Sequence, residues 1–222
     1  NSSHSVLLYF HGGGFYEGAF STYREPVGKL VTQAGVLGLG LSYRLAPEFT
    51  FPCQLEDALA TILYLTTDTT NSGFGSELSK IIVAGDSSGG HLTSILFHFM
   101  RDARLGKLAG GLLWSPLLDA THSQPSTREL EHSDFLEAFN YISPSKDRLT
   151  IEHINHPLMS PLCDTNFSDL PPMLIQTGNA ELLRDEAYVY AKKIYESLTS
   201  RNSDQIKLQL FDEMPHAFMV IP

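Results

Sequence analysis

The sequence predicts a doubly wound α/β fold, a mostly parallel sheet with helices on both faces. Three observations predict it. Short apolar, β-branched runs alternate with stretches whose apolar residues recur at helical spacing. Two of those runs lead directly into glycine-rich turns, at Gly12–Gly14 and Gly85–Gly90. One long interruption, residues 115–169, breaks an otherwise regular alternation.

The elements follow in order. Val6-Leu7-Leu8-Tyr9-Phe10 reads as a buried strand, and Val36 to Ser42 as the next. Pro52 to Leu65 carries Leu55, Ala58, Leu59, Ile62 and Leu63 at helical spacing. Lys80 to Ala84 is a β-branched strand. His91 to Met100, with Leu92, Ile95, Leu96 and Phe99 on one face, is the helix after it. Leu108 to Trp114 is a strand ended by Pro116; Met173 to Thr177 is another, entered through Pro171-Pro172. Arg184 to Thr199 reads as a helix and Ile206 to Phe211 as the last strand. The interruption, Ser115 to Asp169, alternates polar and aromatic residues (Phe135, Phe139, Tyr141), with helices expected at Arg128–Tyr141 and Ser145–Ile154. A segment of this length inserted at a strand end is expected to help cover a site.

Composition bounds the rest. A chain of 222 residues that is 42% hydrophobic can build one domain with a real core. Fifteen basic against 25 acidic residues, a formal charge of −10, disfavour nucleic acid or an anionic membrane surface as partner. Cys53 and Cys163 are too few for a disulfide framework and match no zinc spacing. No stretch approaches 18 consecutive apolar residues, and the start carries no secretory leader pattern.

The chemistry concentrates in the two glycine-rich turns. Gly85-Asp86-Ser87-Ser88-Gly89 lies between a strand and a helix, the context of a G-x-S-x-G nucleophile elbow. Ser87 on such a turn sits in a strained backbone conformation, and Gly85 and Gly89 present no Cβ to the neighbouring elements. The following helix points its N-terminal amides at the serine, where an oxyanion would form. His11-Gly12-Gly13-Gly14-Phe15 follows the first strand, and its glycines free backbone N–H groups to face a substrate carbonyl. A phosphate-binding loop is the competing reading, but neither turn carries a Gly-Lys-Ser/Thr ending or a dinucleotide fingerprint.

His11–Phe15, Tyr43-Arg44-Leu45-Ala46-Pro47-Glu48, Leu55-Glu56-Asp57-Ala58 and Gly85-Asp86-Ser87-Ser88-Gly89-Gly90 together resemble the signature set of the hormone-sensitive-lipase-like esterases. That is the HGGG branch of the α/β hydrolases, with arylacetamide deacetylases and fungal steryl-acetate hydrolases among its members. The resemblance runs from about Val6 to Phe218. It departs at Ser88, where many members have alanine. It implies an α/β-hydrolase fold, an oxyanion hole of the backbone N–H groups of Gly13, Gly14 and Ser88 with Gly12 and His11 supporting the loop, and no metal or organic cofactor. It also implies further strands and a helical cap segment ahead of Val6 and a last helix after His216. The chain therefore reads as an excised catalytic domain, truncated at both ends, with any targeting or membrane anchor outside it.

A serine needs a base, and the base an orienting acid, in the chain order Ser, Asp or Glu, His. Of nine histidines only His216 follows the last strand, and His216-Ala217-Phe218 resembles the family's His-Gly-Phe run. His91 and His98 lie on the helix after Ser87 and are expected to pack or cap locally. Aligning Leu183-Arg184-Asp185-Glu186 with the family pattern puts Glu181 at the acid position. Asp185 is the alternative, although Asp185 and Glu186 suit the start of a helix. The implied activity is hydrolysis of short to medium acyl esters of apolar alcohols through an acyl-enzyme, with steryl or aryl acetates as specific candidates. A non-catalytic small-ligand receptor and an amidase or peptidase on the same fold stand as alternatives. The intact Ser87, Glu181 and His216 favour catalysis.

Overall fold

Val6–Phe10 form β1, and all five residues are buried. A strand buried on both faces belongs in the middle of a parallel sheet. In the computed structural model, which describes residues 5–136, 153–198 and 203–220, β1 lies between β2 (Leu37–Leu41) and β3 (Ile81–Asp86). Next come β4 (Gly110–Trp114), β5 (Met173–Gly178) and β6 (Ile206–Phe211). The order is β2-β1-β3-β4-β5-β6, every pair parallel.

Alternation along β1 divides the core. Val6, Leu8 and Phe10 face the larger cluster, built with Leu55, Ala58 and Ile62 of α2 (Cys53–Thr66) and Leu92, Ile95 and Leu96 of α3 (Ser88–Asp102). Leu7 and Tyr9 face the other side, with Val27 of α1 (Phe20–Ala34), Ala84 and Trp114. The chain steps from β1 to β2 in one direction and from β2 past β1 to β6 in the other. Right-handed connections therefore put α1 on one face and α2, α3 and α5 (Arg184–Ser197) on the opposite one. Each fully buried Leu or Ile in these clusters stabilises the fold by roughly 1.5–3 kcal/mol.

Most expected elements are present, with ends shifted by one to three residues. α3 begins at Ser88 rather than His91, because Gly89 and Gly90 carry no hydrophobic signal although they are helical. α1 is an addition to the sequence reading. Pro26 and Gly28 interrupt its pattern and only Val27 on it is fully buried, so periodicity does not reveal it. It ends on Gly35 in the left-handed region (φ 66°), whose N–H returns to Thr32 and Val31 carbonyls.

The interruption differs from expectation. Instead of a helix over Arg128–Tyr141, a single turn, α4 (Ser126–Glu129), is followed by irregular turns to Leu136. Ser133 Oγ donates to the carbonyls of Leu130 and Ala180, and Asp134 accepts from backbone N–H groups of three residues. Side chains that compete this way for backbone partners disfavour helix continuation. Phe139, Tyr141 and nearly all of the expected Ser145–Ile154 helix lie outside the described residues. Among the described residues no helix is long and apolar enough to cross a membrane.

His91 pins the far end of the interruption to α3. Its Nε2 lies 2.9 Å from the carbonyl of Met159, which can only accept, so Nε2 carries the proton. Complete burial pushes its pKa down from 6.5 to about 4. Between those values the unfolded chain binds a proton that the folded chain does not. Stability is then intact above pH 6.5 and lost as pH falls towards 4. Comparing urea unfolding at pH 7.0 and 4.5, the loss on acidification should be smaller in His91→Gln than in the unaltered protein by about 2–3 kcal/mol.

Candidate active site

The carboxyl ends of the strands carry every candidate residue. Ser87 follows β3, Glu181 lies three residues beyond β5, His216 five beyond β6, and His11–Gly14 directly after β1. β1 and β3 flank the switch point of the sheet, where strand order reverses and a crevice opens.

Ser87 caps α3 with φ 51° and ψ −118°, a combination strained for a residue with a side chain. The strain is held by its backbone: N–H donates to Trp114 O (2.9 Å), while its carbonyl accepts from His91 N (3.0 Å) and Leu117 N (3.1 Å). Glycine is required at position 89, because a Cβ there would lie 2.1 Å from the carbonyl oxygen of Phe10. Ser88 is the first residue of α3, so its N–H has no acceptor within the helix.

The glycine loop is fastened by Asp86, to which the sequence reading gives no role. The buried Oδ1 of Asp86 accepts from Tyr9 OH (2.7 Å) and Gly12 N (2.9 Å), and Oδ2 from Tyr23 OH (3.3 Å). Burial raises the Asp86 pKa, and these donors oppose that rise. Gly13 (φ 113°) and Gly14 (φ 62°) then turn in conformations that favour glycine. His11 is buried and donates from Nδ1 to Gly12 O (2.7 Å), and burial lowers its pKa, which keeps the ring neutral. Tyr43 stacks on that ring (centroids 4.3 Å, 10° between planes) and donates to His11 O (2.6 Å). Tyr43 is held by its own motif: Arg44 pairs with Asp57 (2.8 Å) and Glu56 (3.0 Å). Gln54 Nε2 donates to the carbonyls of Arg44 and Phe49.

Glu181 and His216 meet. The fully buried Glu181 carboxylate places Oε2 3.6 Å from His216 Nδ1, within ion-pair range and beyond hydrogen-bonding distance. Catalytic hydrogen bonds are often long before substrate binds. Ser115, at the end of β4, joins the two loops: its Oγ donates to Glu181 Oε2 (2.6 Å) and accepts from Ala217 N (2.9 Å). Thr177 Oγ donates to the other carboxylate oxygen of Glu181. Neither Ser115 nor Thr177 stands out in the sequence, since each is a hydroxyl beyond or within a strand with no motif around it. Asp185 is elsewhere engaged, accepting from Ser126 N (2.9 Å) and from its neighbour Arg184 (2.8 Å) in the first turn of α5. His98, eleven residues along α3 from Ser87, hydrogen-bonds Asp164 and Tyr190 OH (2.9 Å), a packing network. Among the described residues no group of three His, Cys, Asp or Glu side chains could hold a metal ion.

The α/β-hydrolase fold family matches residues 7–220. The chain belongs to that family. It is 31% identical over 194 residues to the carboxylesterase NlhH of Mycobacterium tuberculosis, covering 84% of this chain and 59% of that protein. It is 28% identical to an ethyl acetate hydrolase of Pseudomonas putida, covering 97% of this chain and 66% of that protein. A hormone-sensitive lipase from a metagenome library superposes with a TM-score of 0.84 at 31% identity, over 97% of this chain and 70% of the other. EstE5, crystallised and soaked with p-nitrophenyl butyrate, gives 0.86 at 29% identity over 99% and 70%. The chain spans about 59% of the length of the first curated relatives it matches. The resemblance to hormone-sensitive-lipase-like esterases and the family's fold therefore stand together.

The loop's fastening can be tested by volume alone. A Cβ on Gly12 would sit 2.3 Å from Asp86 Oδ2, whereas one on Gly28 of α1 meets nothing within 4 Å. Gly12→Ala should destabilise by about 1–3 kcal/mol, the scale of overpacking. Gly28→Ala should stabilise by about 0.5–1 kcal/mol, as alanine replaces glycine within a helix. Urea midpoints of the two variants check both.

Proposed function

We propose that this chain is the catalytic part of a serine carboxylesterase that hydrolyses short to medium acyl esters of apolar alcohols through an acyl-enzyme. The observation that carries the reading is the buried Glu181 carboxylate against His216 Nδ1, on the strand edge where the strained Ser87 turn also lies. His216 takes the proton of Ser87 Oγ as that oxygen adds to the ester carbonyl carbon. The carbonyl oxygen becomes an oxyanion facing the N–H groups of Gly13, Gly14 and Ser88. The carbon–oxygen bond to the alcohol then breaks, and the leaving oxygen takes the proton from His216. Water, giving its proton to His216, adds to the acyl-Ser87 ester. Collapse releases the acid and returns the proton to Ser87. Glu181 stabilises the imidazolium in both halves. Each step is proton transfer or acyl transfer, and no cofactor is called for.

The substrate class rests on the relatives' activities, carboxylesterase, acetyl-hydrolase and ethyl acetate hydrolase, carried over here as a proposal. Acetates of sterols or aryl alcohols are its narrower form. The interruption at 115–169 contributes a wall, since the Phe135 ring lies 6.1 Å from that of His216. On p-nitrophenyl esters, kcat/KM should peak between acetyl and hexanoyl chains; a peak at dodecanoyl or longer would overturn the acyl-length reading.

Ser87→Ala should lower kcat on the order of 10⁶-fold and abolish labelling by a fluorophosphonate. Persistent labelling of that variant would remove Ser87 from the mechanism. Glu181→Gln keeps the size and removes the charge that stabilises the imidazolium, so kcat should fall by about 10⁴-fold. Asp185→Asn disturbs only the Ser126 and Arg184 contacts and should leave kcat within a few-fold. The reverse pattern, with both variants folded by circular dichroism, would make Asp185 the acid.

A further inference from the structure

We propose that Asp134, in the interruption between β4 and β5, is a positioning residue that sets the geometry of the Glu181–His216 pair. The inference rests on the serine-esterase reading above and adds a residue to it. Asp134 Oδ2 accepts from the N–H of Leu182 (2.9 Å), the residue after Glu181. Its Oδ1 accepts from the N–H of His216 itself (3.2 Å). One carboxylate therefore spans the two loops that carry the acid and the base. Ser133, beside it, donates to Ala180 O (3.2 Å), so consecutive residues hold the backbone on both sides of Glu181. The next residue, Phe135, lays its ring 6.1 Å from the His216 ring.

The arrangement has a chemical consequence beyond holding two loops. Glu181 Oε2 is 3.6 Å from His216 Nδ1, a gap that small shifts of either backbone open or close. Misplacement on the scale of 1 Å at a reacting centre costs on the order of 10²-fold in rate. The carboxylate also adds negative charge next to the base. The charged groups facing His216 are then Glu181 from the β5–α5 loop, Asp86 at the end of β3, and Asp134 from the interruption. Asp134 is the one contributed by the interruption.

Asp134→Asn keeps the shape, removes the charge, and leaves a single side-chain oxygen to serve the N–H groups of Leu136, Leu182 and His216. On an activated p-nitrophenyl ester, kcat should fall by about 10–100-fold, with KM within about three-fold. The acid limb of the kcat/KM profile should move to lower pH, because the variant removes a negative charge beside the base. In a Glu181→Gln background the same change should cost less than about three-fold, because the pair it positions is already broken. If Asp134→Asn does not fold, Asp134→Ser, with one hydroxyl acceptor, is measured in the same way and should show the same pattern. Equal losses in both backgrounds, a loss in KM alone, or an unmoved acid limb would reduce Asp134 to a structural contact and overturn the inference. A near-normal Glu181→Gln would instead sink the acid assignment, and the acid limb of the Asp134 variant alone would then decide its role.

Discussion

The architecture of the site depends on a steric constraint where β1, β3 and α3 meet. α3 must begin one residue after Ser87, directly against the carbonyl of Phe10, with only 2.1 Å for any Cβ at position 89. Gly85 is equally confined, its Cβ position 2.4 Å from Gly89 O. This closeness brings the first amides of α3 beside the loop that leaves β1. Were either glycine larger, the helix would start farther from the sheet. Ser88 N–H would then lie farther from the glycine loop. The φ of 51° at Ser87 is the local cost, held in place by three backbone hydrogen bonds.

Around that turn the protein buries carboxylates and satisfies them with neutral donors rather than with cations. Asp86 takes two tyrosine hydroxyls and a glycine amide. Glu181 takes the hydroxyls of Ser115 and Thr177, and Glu186 the amides of Leu118 and Asp119. Burial pushes the pKa values of Asp86 and Glu186 upward, and the donors to their oxygens oppose that rise. The cluster of Arg44 with Glu56 and Asp57 sits towards solvent, where it orders the chain beside Tyr43.

How much of this is legible in the sequence follows from range. The strands are runs of apolar residues and were readable; so were α2 and α5, whose apolar residues keep helical spacing. α1 was not, because Pro26 and Gly28 speak against a helix that tertiary packing on Val27, Leu30 and Val31 nevertheless supports. Ser87 and the glycine loop are legible because their chemistry needs rare local conformations, which leave glycines in the sequence; His216 is legible as the histidine that follows the last strand. Glu181 needed the family resemblance, since nothing local separates it from Asp185 four residues on. Asp86, Ser115 and Asp134 act across 74, 66 and 82 residues of chain, on Gly12, Glu181 and His216. No spacing rule reaches so far.

The long-range contacts also make the separate loops of Glu181 and His216 one mechanical unit. Asn179 exchanges hydrogen bonds with Asp212 and Glu213, and Ala180 N donates to Met214 O (3.2 Å). Gly178 allows this closeness, a Cβ there standing 1.9 Å from Met214 O. The β5 and β6 loops are therefore zipped together before Ser115 links them from the sheet side and Asp134 from the interruption. Two loops tied along their backbones can shift jointly with little change in the Glu181–His216 separation. Their joint placement relative to Ser87 is then fixed through β4, whose Trp114 carbonyl accepts from Ser87 N and whose following residue, Ser115, holds both loops. The strand between β3 and β5 is thus the element that sets Glu181 and His216 against Ser87, although it carries none of the three.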